Sequence, residues 1–418
     1  MTMGGPLRFC MLTTFYPPYS FGGDGIFVEQ LSRELADQGH HVTVVHCIDT
    51  FRLLAGHEPT GGQTPHPNIN VIGLRSRAGF LSPLITQQMG RPGLKAGKLQ
   101  AVLEQGFDVI NFHNISLVGG PGLLELAARL SKSVKLYTLH EYWLVCPTHT
   151  LFKFRRHACQ KRQCLVCTLS YRRPPQLWRY TGLIQRAVRY VDTFITPDHF
   201  TANQHRQMGL ELPTRYIPHF VPYDATASEP PHSDLPAAAK EGDYFLFVGR
   251  LERLKGLQTL IPLLAKMPHA RLLIAGTGEY ESALQRLSAH LSNVVFLGHC
   301  VGPTLRALYH HAIGVIVPSI NYEVAPPLVI MESFREATPV IVRNLGANPE
   351  PVMESGGGII YETDEQLMEA MNRLQSEGNH RRELGHLGRK ALTEKWSAEQ
   401  YLRRYFTLID EISEHKSL

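Results

Sequence analysis

The sequence predicts an α/β protein of two Rossmann-like domains, each a doubly wound parallel sheet, facing one another across a cleft. Three observations predict it. Short apolar runs of buried-strand length each end at Gly or Pro, helical patterns alternate with them, and the same organisation occurs on both sides of a Pro- and Ala-rich stretch. A chain of 418 residues has room for two domains, each with its own core.

In the first half, strands are expected in LRFCMLTTF (7–15), HVTVVHC (41–47), FDVINFH (107–113) and VKLYTLH (134–140). Phe27, Leu31 and Leu35 recur at four-residue spacing, which lines one face of a helix that stops at Gly39. Residues 221–242, VPYDATASEPPHSDLPAAAKEG, lack apolar period and read as the linker between a domain at 1–220 and one at 243–395. The second half then runs YFLFVGRLERLKG, RLLIAGTGEYE, NVVFLG, TLRALYHHA, GVIVPS, NYEVAPPLVIMES and TPVIV, a succession of strand–helix units.

The net charge of +5 suits an anionic ligand or an anionic membrane surface and is too small to imply nucleic acid. No apolar run approaches the ~18 residues that span a bilayer, and the first residues run straight into a strand without a secretory core. A cytoplasmic location, peripheral at the membrane, is expected.

Ligands of such sheets sit outside the carboxyl ends of the strands, so the residues just after each strand carry the chemistry. Arg250 follows one strand and Lys255 comes shortly after, before Gly256 and a helical stretch; a guanidinium fork and an ammonium beside a helix N-terminus suit a diphosphate. Gly276 and Gly278 follow another strand, where missing side chains let backbone N–H groups approach an anion. Glu332 is expected near the start of a helix, where it could accept two vicinal ribose hydroxyls, and the preceding turn with Pro327, Leu328 and Val329 offers backbone amides. Glu323, in a short loop, is placed to meet a transferred sugar.

These motifs resemble the C-terminal domain of retaining, family-4 glycosyltransferases (glycosyl transferases group 1) of the GT-B fold. That family carries G-R-L…K-G, a Gly-rich turn, and two glutamates with seven residues between them. The match falls at Gly249, Arg250, Lys255, Gly256, Gly276, Gly278, Glu332 and Thr338 to Ile341. It departs at one point: eight residues separate Glu323 from Glu332, with Pro326 and Pro327 among them. FYPPYSFGGDGIFVEQL is similar to the opening of the family's acceptor domain, in which Gly22 and Gly23 approach the diphosphate or acceptor. YTLHEYW resembles a strand end whose histidine, here His140, lies in the active cleft, with His113 a weaker candidate. The segment 396–418 looks like the helix that crosses back to the first domain.

The resemblance implies transfer of a sugar from a nucleotide-diphosphate donor to a carbohydrate, lipid-linked or small-molecule acceptor, with retention of configuration, as in polysaccharide or glycoconjugate synthesis. Arg250 and Lys255 would stabilise the leaving diphosphate without a metal, Glu323 and His140 would serve the reacting sugar, and the leaving group would take the acceptor's proton. Two readings of other classes stand beside it: a nucleotide-sugar epimerase or phosphorylase on the same architecture, and a catalytically silent binding protein.

An insertion at about 146–180 lies outside the family pattern. Cys146, Cys159, Cys164 and Cys167 crowd one short segment; a reducing compartment disfavours disulfides, and four thiols at this spacing suit a structural zinc, with an iron–sulfur cluster as the alternative. Cys10, Cys47 and Cys300 read as small core residues. Downstream, Arg172, Arg173, Trp178, Arg179 and Tyr180 mix cations with amphipathic rings, which suits an anionic lipid surface and equally an interface between helices.

Overall fold

The computed structural model describes every residue except 1–4, 60, 63, 64, 224–227, 326 and 418. It divides into two compact units, Met1–His219 with Ala398–Leu418, and Phe220–Ser397. Among the described residues the strands are β1 (Arg8–Leu12), β2 (His41–Cys47), β3 (Ile69–Leu74), β4 (Val109–Phe112), β5 (Val134–Thr138), β6 (Phe152–Lys153), β7 (His157–Ala158), β8 (Thr193–Thr196), β9 (Thr214–Tyr216), β10 (Phe245–Val248), β11 (Leu272–Ala275), β12 (Val294–Gly298), β13 (Gly314–Val317), β14 (Val340–Arg343) and β15 (Gly358–Tyr361).

The first unit holds a seven-stranded sheet in the order β3-β2-β1-β4-β5-β8-β9, parallel throughout. Its centre is buried because helices cover both faces: every residue of β4 and β5 is buried, the polar Asn111, Lys135 and Thr138 included. The helix Gly23–Asp37 turns Phe27, Val28, Leu31 and Leu35 inward. The final helix, Ala398–Ser417, belongs to this unit: Asn111 on β4 donates to the Tyr405 hydroxyl (3.1 Å) and Lys416 pairs with Asp192 at 2.6 Å.

The second unit has a six-stranded parallel sheet, β12-β11-β10-β13-β14-β15. The order reverses at β10, where β11 and β13 flank it, so the loops after β10 and β13 stand at a topological switch point. The stretch read as a linker is partly core here: Val221, Leu235 and Ala239 join the cluster around Tyr244, Leu246 and Val315. Its residues 224–227 lie outside the described residues.

Strands β3, β8, β9 and β15 extend the sheets beyond those expected. β3, β9 and β15 are edge strands with one neighbour each, and their half-exposed sequences carry no buried-strand signature. No helix among the described residues is long and apolar enough to cross a membrane.

Candidate active site

In the second unit, three strand ends deliver the residues singled out from the sequence. Gly249 directly follows β10 and its N–H donates to the carbonyl of Ala275 on β11. Arg250 follows with its side chain 59% exposed and paired to Glu252 at 2.8 Å. Lys255 closes a short 3-10 turn, Arg253–Lys255, and its ammonium donates to Glu323 Oε1 at 2.8 Å. That carboxylate oxygen also accepts from Ser319 at 2.8 Å, and the Ile320 N–H bonds the Leu254 carbonyl. The loops after β10 and β13 are thereby knitted together, with Lys255 and Glu323 at the seam.

Gly276 and Gly278 also have a packing role that the sequence did not show. A Cβ on Gly276 would stand 1.9 Å from the Gly249 carbonyl oxygen, and one on Gly278 2.4 Å from that of Leu251. Both contacts are with backbone and cannot yield, so these glycines are required for the loop after β11 to pack on the loop after β10. Gly22 is the converse: it is extended, and a Cβ there would meet nothing within 4 Å. Gly23, beside it, opens the helix Gly23–Asp37 and is exposed.

The two glutamates occupy unlike settings. Glu323 sits in the loop after β13 beside Lys255. Glu332 was expected near a helix start, but the helix is Leu328–Arg335 and Glu332 lies in its second turn. Its Oε2 accepts the Tyr309 hydroxyl at 2.6 Å. Pro327 is the residue before the helix, and Leu328 and Val329 form its first turn, with their N–H groups among those a helix start leaves unpaired within the helix. The extra residue between the glutamates coincides with a distortion at Ala325, whose φ of 58° is left-handed and costs about 1–2 kcal/mol for a residue with a Cβ. Pro326 lies outside the described residues.

The first unit assembles three histidines. His113 Nδ1 and His140 Nε2 are 2.9 Å apart, and the His140 ring lies 5.0 Å from that of His219. Phe27 stacks on His219 at 4.0 Å. Burial lowers the pKa of His140 to about 4, against a smaller opposing pull from Asp24. Burial, and then the neighbouring imidazoles, push His113 and His219 well below the usual value. The cluster is therefore neutral at pH 7 and offers hydrogen bonds, not charge. The Nε2 atoms of His113 and His219 are buried and lack a hydrogen-bond partner among the described residues. His219 was missed from sequence. It follows β9 in RYIPHF, and only its place after a strand could have marked it.

The geometry can be set beside known proteins. The family model for Glycosyltransferase Family 4 matches residues 21–225, and that for glycosyl transferases group 1 matches residues 232–391. Together they span most of the chain. The chain belongs to the glycosyltransferases of the GT-B fold. An uncharacterized glycosyltransferase of Methanocaldococcus jannaschii is 34% identical over 160 residues, a stretch that is 36% of this chain and 40% of that relative's length. Among solved structures, sucrose-phosphate synthase from Thermosynechococcus elongatus covers 97% of this chain and 99% of its own, with TM-score 0.72 and 19% identity. HepE of Anabaena, solved in complex with UDP, covers 97% of this chain and 100% of its own, with TM-score 0.66 and 16% identity. At these identities the structures establish the fold alone. Both matched models being glycosyltransferase models, the epimerase, phosphorylase and silent-protein readings are not favoured.

The cysteine segment of this glycosyltransferase is a small antiparallel hairpin, β6 with β7, followed by the helix Cys164–Ser170. Cys159 follows the hairpin, Cys164 opens the helix, and Cys167 Sγ accepts the Phe154 N–H at 3.4 Å. None of the four is in a disulfide. The thiols share one neighbourhood: Cys159 is pushed up to about 11 by burial, then by Cys146, Cys164 and Cys167. Yet among the described residues no group of three or more His, Cys, Asp or Glu side chains is placed to hold a metal ion. The expected zinc or iron–sulfur site thus finds no formed ligand set.

The aromatic and basic run beside it splits in two. Trp178 is buried and donates to the Gln87 carbonyl (2.8 Å), and the Arg179 guanidinium lies over the Trp143 and Trp178 rings at 5.0 and 4.9 Å. Those two are internal packing. Arg172, Arg173 and Tyr180 are exposed.

Proposed function

We propose that this chain transfers a hexose from a nucleoside-diphosphate sugar to an acceptor hydroxyl with retention of configuration, in the synthesis of a polysaccharide or glycoconjugate, on the cytoplasmic side of a membrane. The observation that carries the reading is the seam at the switch point of the second sheet, where Lys255, Glu323 and the Gly249–Arg250 turn meet. HepE, which shares the fold, was solved with UDP, and that supports a nucleoside diphosphate as the donor's leaving group.

Breaking the anomeric C–O bond puts negative charge on the diphosphate. Lys255 and Arg250 stabilise that charge, each exchanging its carboxylate partner, Glu323 or Glu252, for phosphate oxygens. Glu323, released from Lys255, is then available to a sugar hydroxyl. The acceptor attacks from the face the diphosphate leaves, and the diphosphate takes the acceptor's proton, so no protein nucleophile is needed. Glu332 holds the ribose hydroxyls, while Pro327, Leu328, Val329, Gly22 and Gly23 leave backbone open to the diphosphate. His140, neutral, donates or accepts a hydrogen bond at the reacting sugar. No metal enters this chemistry.

A thermal-shift screen against nucleotide sugars tests the donor class, because a ligand at 100 times its dissociation constant adds about 2.7 kcal/mol. A stabilising sugar nucleotide that is then turned over with a hydroxyl acceptor is expected. No shift with any sugar nucleotide overturns the reading. For the four cysteines we retain zinc as a proposal carried by their spacing and shared neighbourhood. Elemental analysis of protein purified without added metal is expected to give about one zinc per chain and no colour; iron with visible absorption favours the cluster, and neither metal removes both.

A further inference from the structure

The insertion carries an unusual surface. From Tyr142 to Val191 there is no Asp or Glu, while the same stretch holds ten Lys and Arg, so the remainder of the chain is net acidic although the whole is +5. Arg155, Arg156, Lys161, Arg162, Arg172 and Arg173 are all exposed. Only Arg155 is drawn to a ring, lying 4.9 Å over Tyr171 while donating to the Tyr171 carbonyl.

Apolar side chains stand among these cations. The helix Cys164–Ser170 turns Cys167 and Thr168 inward and leaves Leu165, Val166 and Leu169 at 44%, 61% and 56% exposure on its outer face. Leu177 and Tyr180, both 66% exposed, are three residues apart in a 3-10 turn and therefore share a face. A cavity of about 390 Å³ joins the two elements, with Arg162, Leu165, Val166, Arg179 and Tyr180 in its lining. Water-exposed leucine and valine are unfavourable by the burial they forgo, and a stretch with ten cations and no acid of its own disfavours a cationic partner face.

We propose that this surface docks the chain on an anionic lipid bilayer. Leu165, Val166, Leu169, Leu177 and Tyr180 enter the headgroup layer, and the six cations pair with lipid phosphates around them. Anionic lipid, as opposed to an acidic protein, is favoured by the combination of bare aliphatic side chains with long flexible cations at no fixed spacing. The inference extends the reading of a lipid-linked acceptor given above, but its test uses neither donor nor acceptor, so either can fail alone.

The full-length chain is sedimented with phosphatidylcholine vesicles, with and without one-third phosphatidylglycerol, at low and high salt. Binding to the anionic vesicles that weakens with salt is expected. Arg172→Gln with Arg173→Gln is expected to weaken it more than tenfold, since each cation near an anionic surface contributes roughly fivefold. Leu165→Gln with Val166→Gln is expected to abolish retention at high salt. All four residues are exposed, so melting temperature and sugar-nucleotide shifts should stay unchanged. Wild-type protein that stays in the supernatant, or binds neutral vesicles equally, overturns the proposal. So does unaltered binding by both double variants. Light scattering that shows a dimer split by Leu165→Gln with Val166→Gln would assign the face to a second copy instead.

Discussion

The two units bring their polar residues together by opposite routes. In the second, most candidate residues closely follow one of three strands: Gly249, Arg250 and Lys255 come within seven positions of β10, Gly276 and Gly278 within three of β11, and Glu323 six after β13. Neighbouring loops are tied backbone to backbone: Gly249 to Ala275, Leu251 to Thr277, Ile320 to Leu254. In the first, Phe27, His113, His140 and His219 come from four separate segments and meet only through the sheet. A site strung along consecutive strand ends leaves motifs in a sequence. One made by convergence leaves isolated residues. The units differ also in what they expose: among the described residues, large apolar side chains at the surface, such as Phe80, Leu94, Val166 and Leu177, fall mostly in the first.

The comparison is broken most directly at the seam. Arg250→Ala and Lys255→Ala are each expected to lower turnover by roughly 100- to 1000-fold, the usual loss when a preorganised donor to developing negative charge is removed. Both residues lie on loops outside the core, so circular dichroism and melting should change little. Near-normal transfer by either variant, measured with the donor found in the thermal screen, would show that the strand-end motifs mark packing and not chemistry.

Legibility followed the same division. The doubly wound sheets could be read because β10, β11 and β13 are written as unbroken apolar runs, and β4, β5 and β14 as apolar runs broken only by Asn111, by Lys135 and Thr138, and by Arg343. β15, Gly-Ile-Ile-Tyr after two further glycines, and β9, Thr-Arg-Tyr, are short edges whose identity comes from one neighbour. At the candidate site, the places of Arg250 and Lys255 after β10 could be anticipated, but not their carboxylate partners, because ion pairs between loops have no sequence period. Gly276 and Gly278 were visible as a turn, while the Gly249 and Leu251 carbonyls that require them were not. The shared neighbourhood of the four cysteines was legible from spacing. Their failure to form a metal-holding group among the described residues was not, since it depends on how the hairpin and the helix are oriented.

Acid should separate the units next. Burial holds His46, His140 and His205 at about 4 and pushes His113 and His219 well below the usual value, and all five belong to the first unit. Their folded values lie below the unfolded value near 6.5, so the stability they permit is complete above pH 6.5. As pH falls from there towards 4, the unfolded chain takes up protons the folded chain refuses, and stability drops by up to about 1.4 kcal/mol per pH unit for each such group. Hydrogen exchange at pH 7 and pH 5 is expected to show the first unit opening more readily at the lower pH while the second changes less. Equal loss in both units, or greater loss in the second, would contradict this reading of the histidines.

The glutamates sharpen the comparison within the second unit. Glu323→Gln removes the anion that holds Lys255, so turnover is expected to fall about tenfold or more with donor affinity little changed. Unaltered kinetics would show that the distortion at Ala325 has carried Glu323 away from the sugar. Glu332→Gln is expected to act in the other sense, raising KM for the donor through the ribose.

The smallest effect concerns the hydroxyl that Glu332 already holds. Tyr309 is buried, and burial followed by the Glu332 carboxylate raises its pKa well above normal, so it stays a neutral donor at every working pH. Tyr309→Phe leaves the ring in the core and deletes only the 2.6 Å bond to Oε2. A hydrogen bond to a charged group contributes about 1.5–3 kcal/mol net, but a half-buried carboxylate can recover part of that from water. The bond also fixes which Glu332 oxygen is free. Loss of that orientation is expected to raise the donor KM a few-fold and to leave turnover unchanged, because the ribose is remote from the bond being broken. If Tyr309→Phe instead lowers turnover as much as Glu323→Gln does, the two glutamates are not divided between ribose and sugar. Both would then serve the reacting end of the donor.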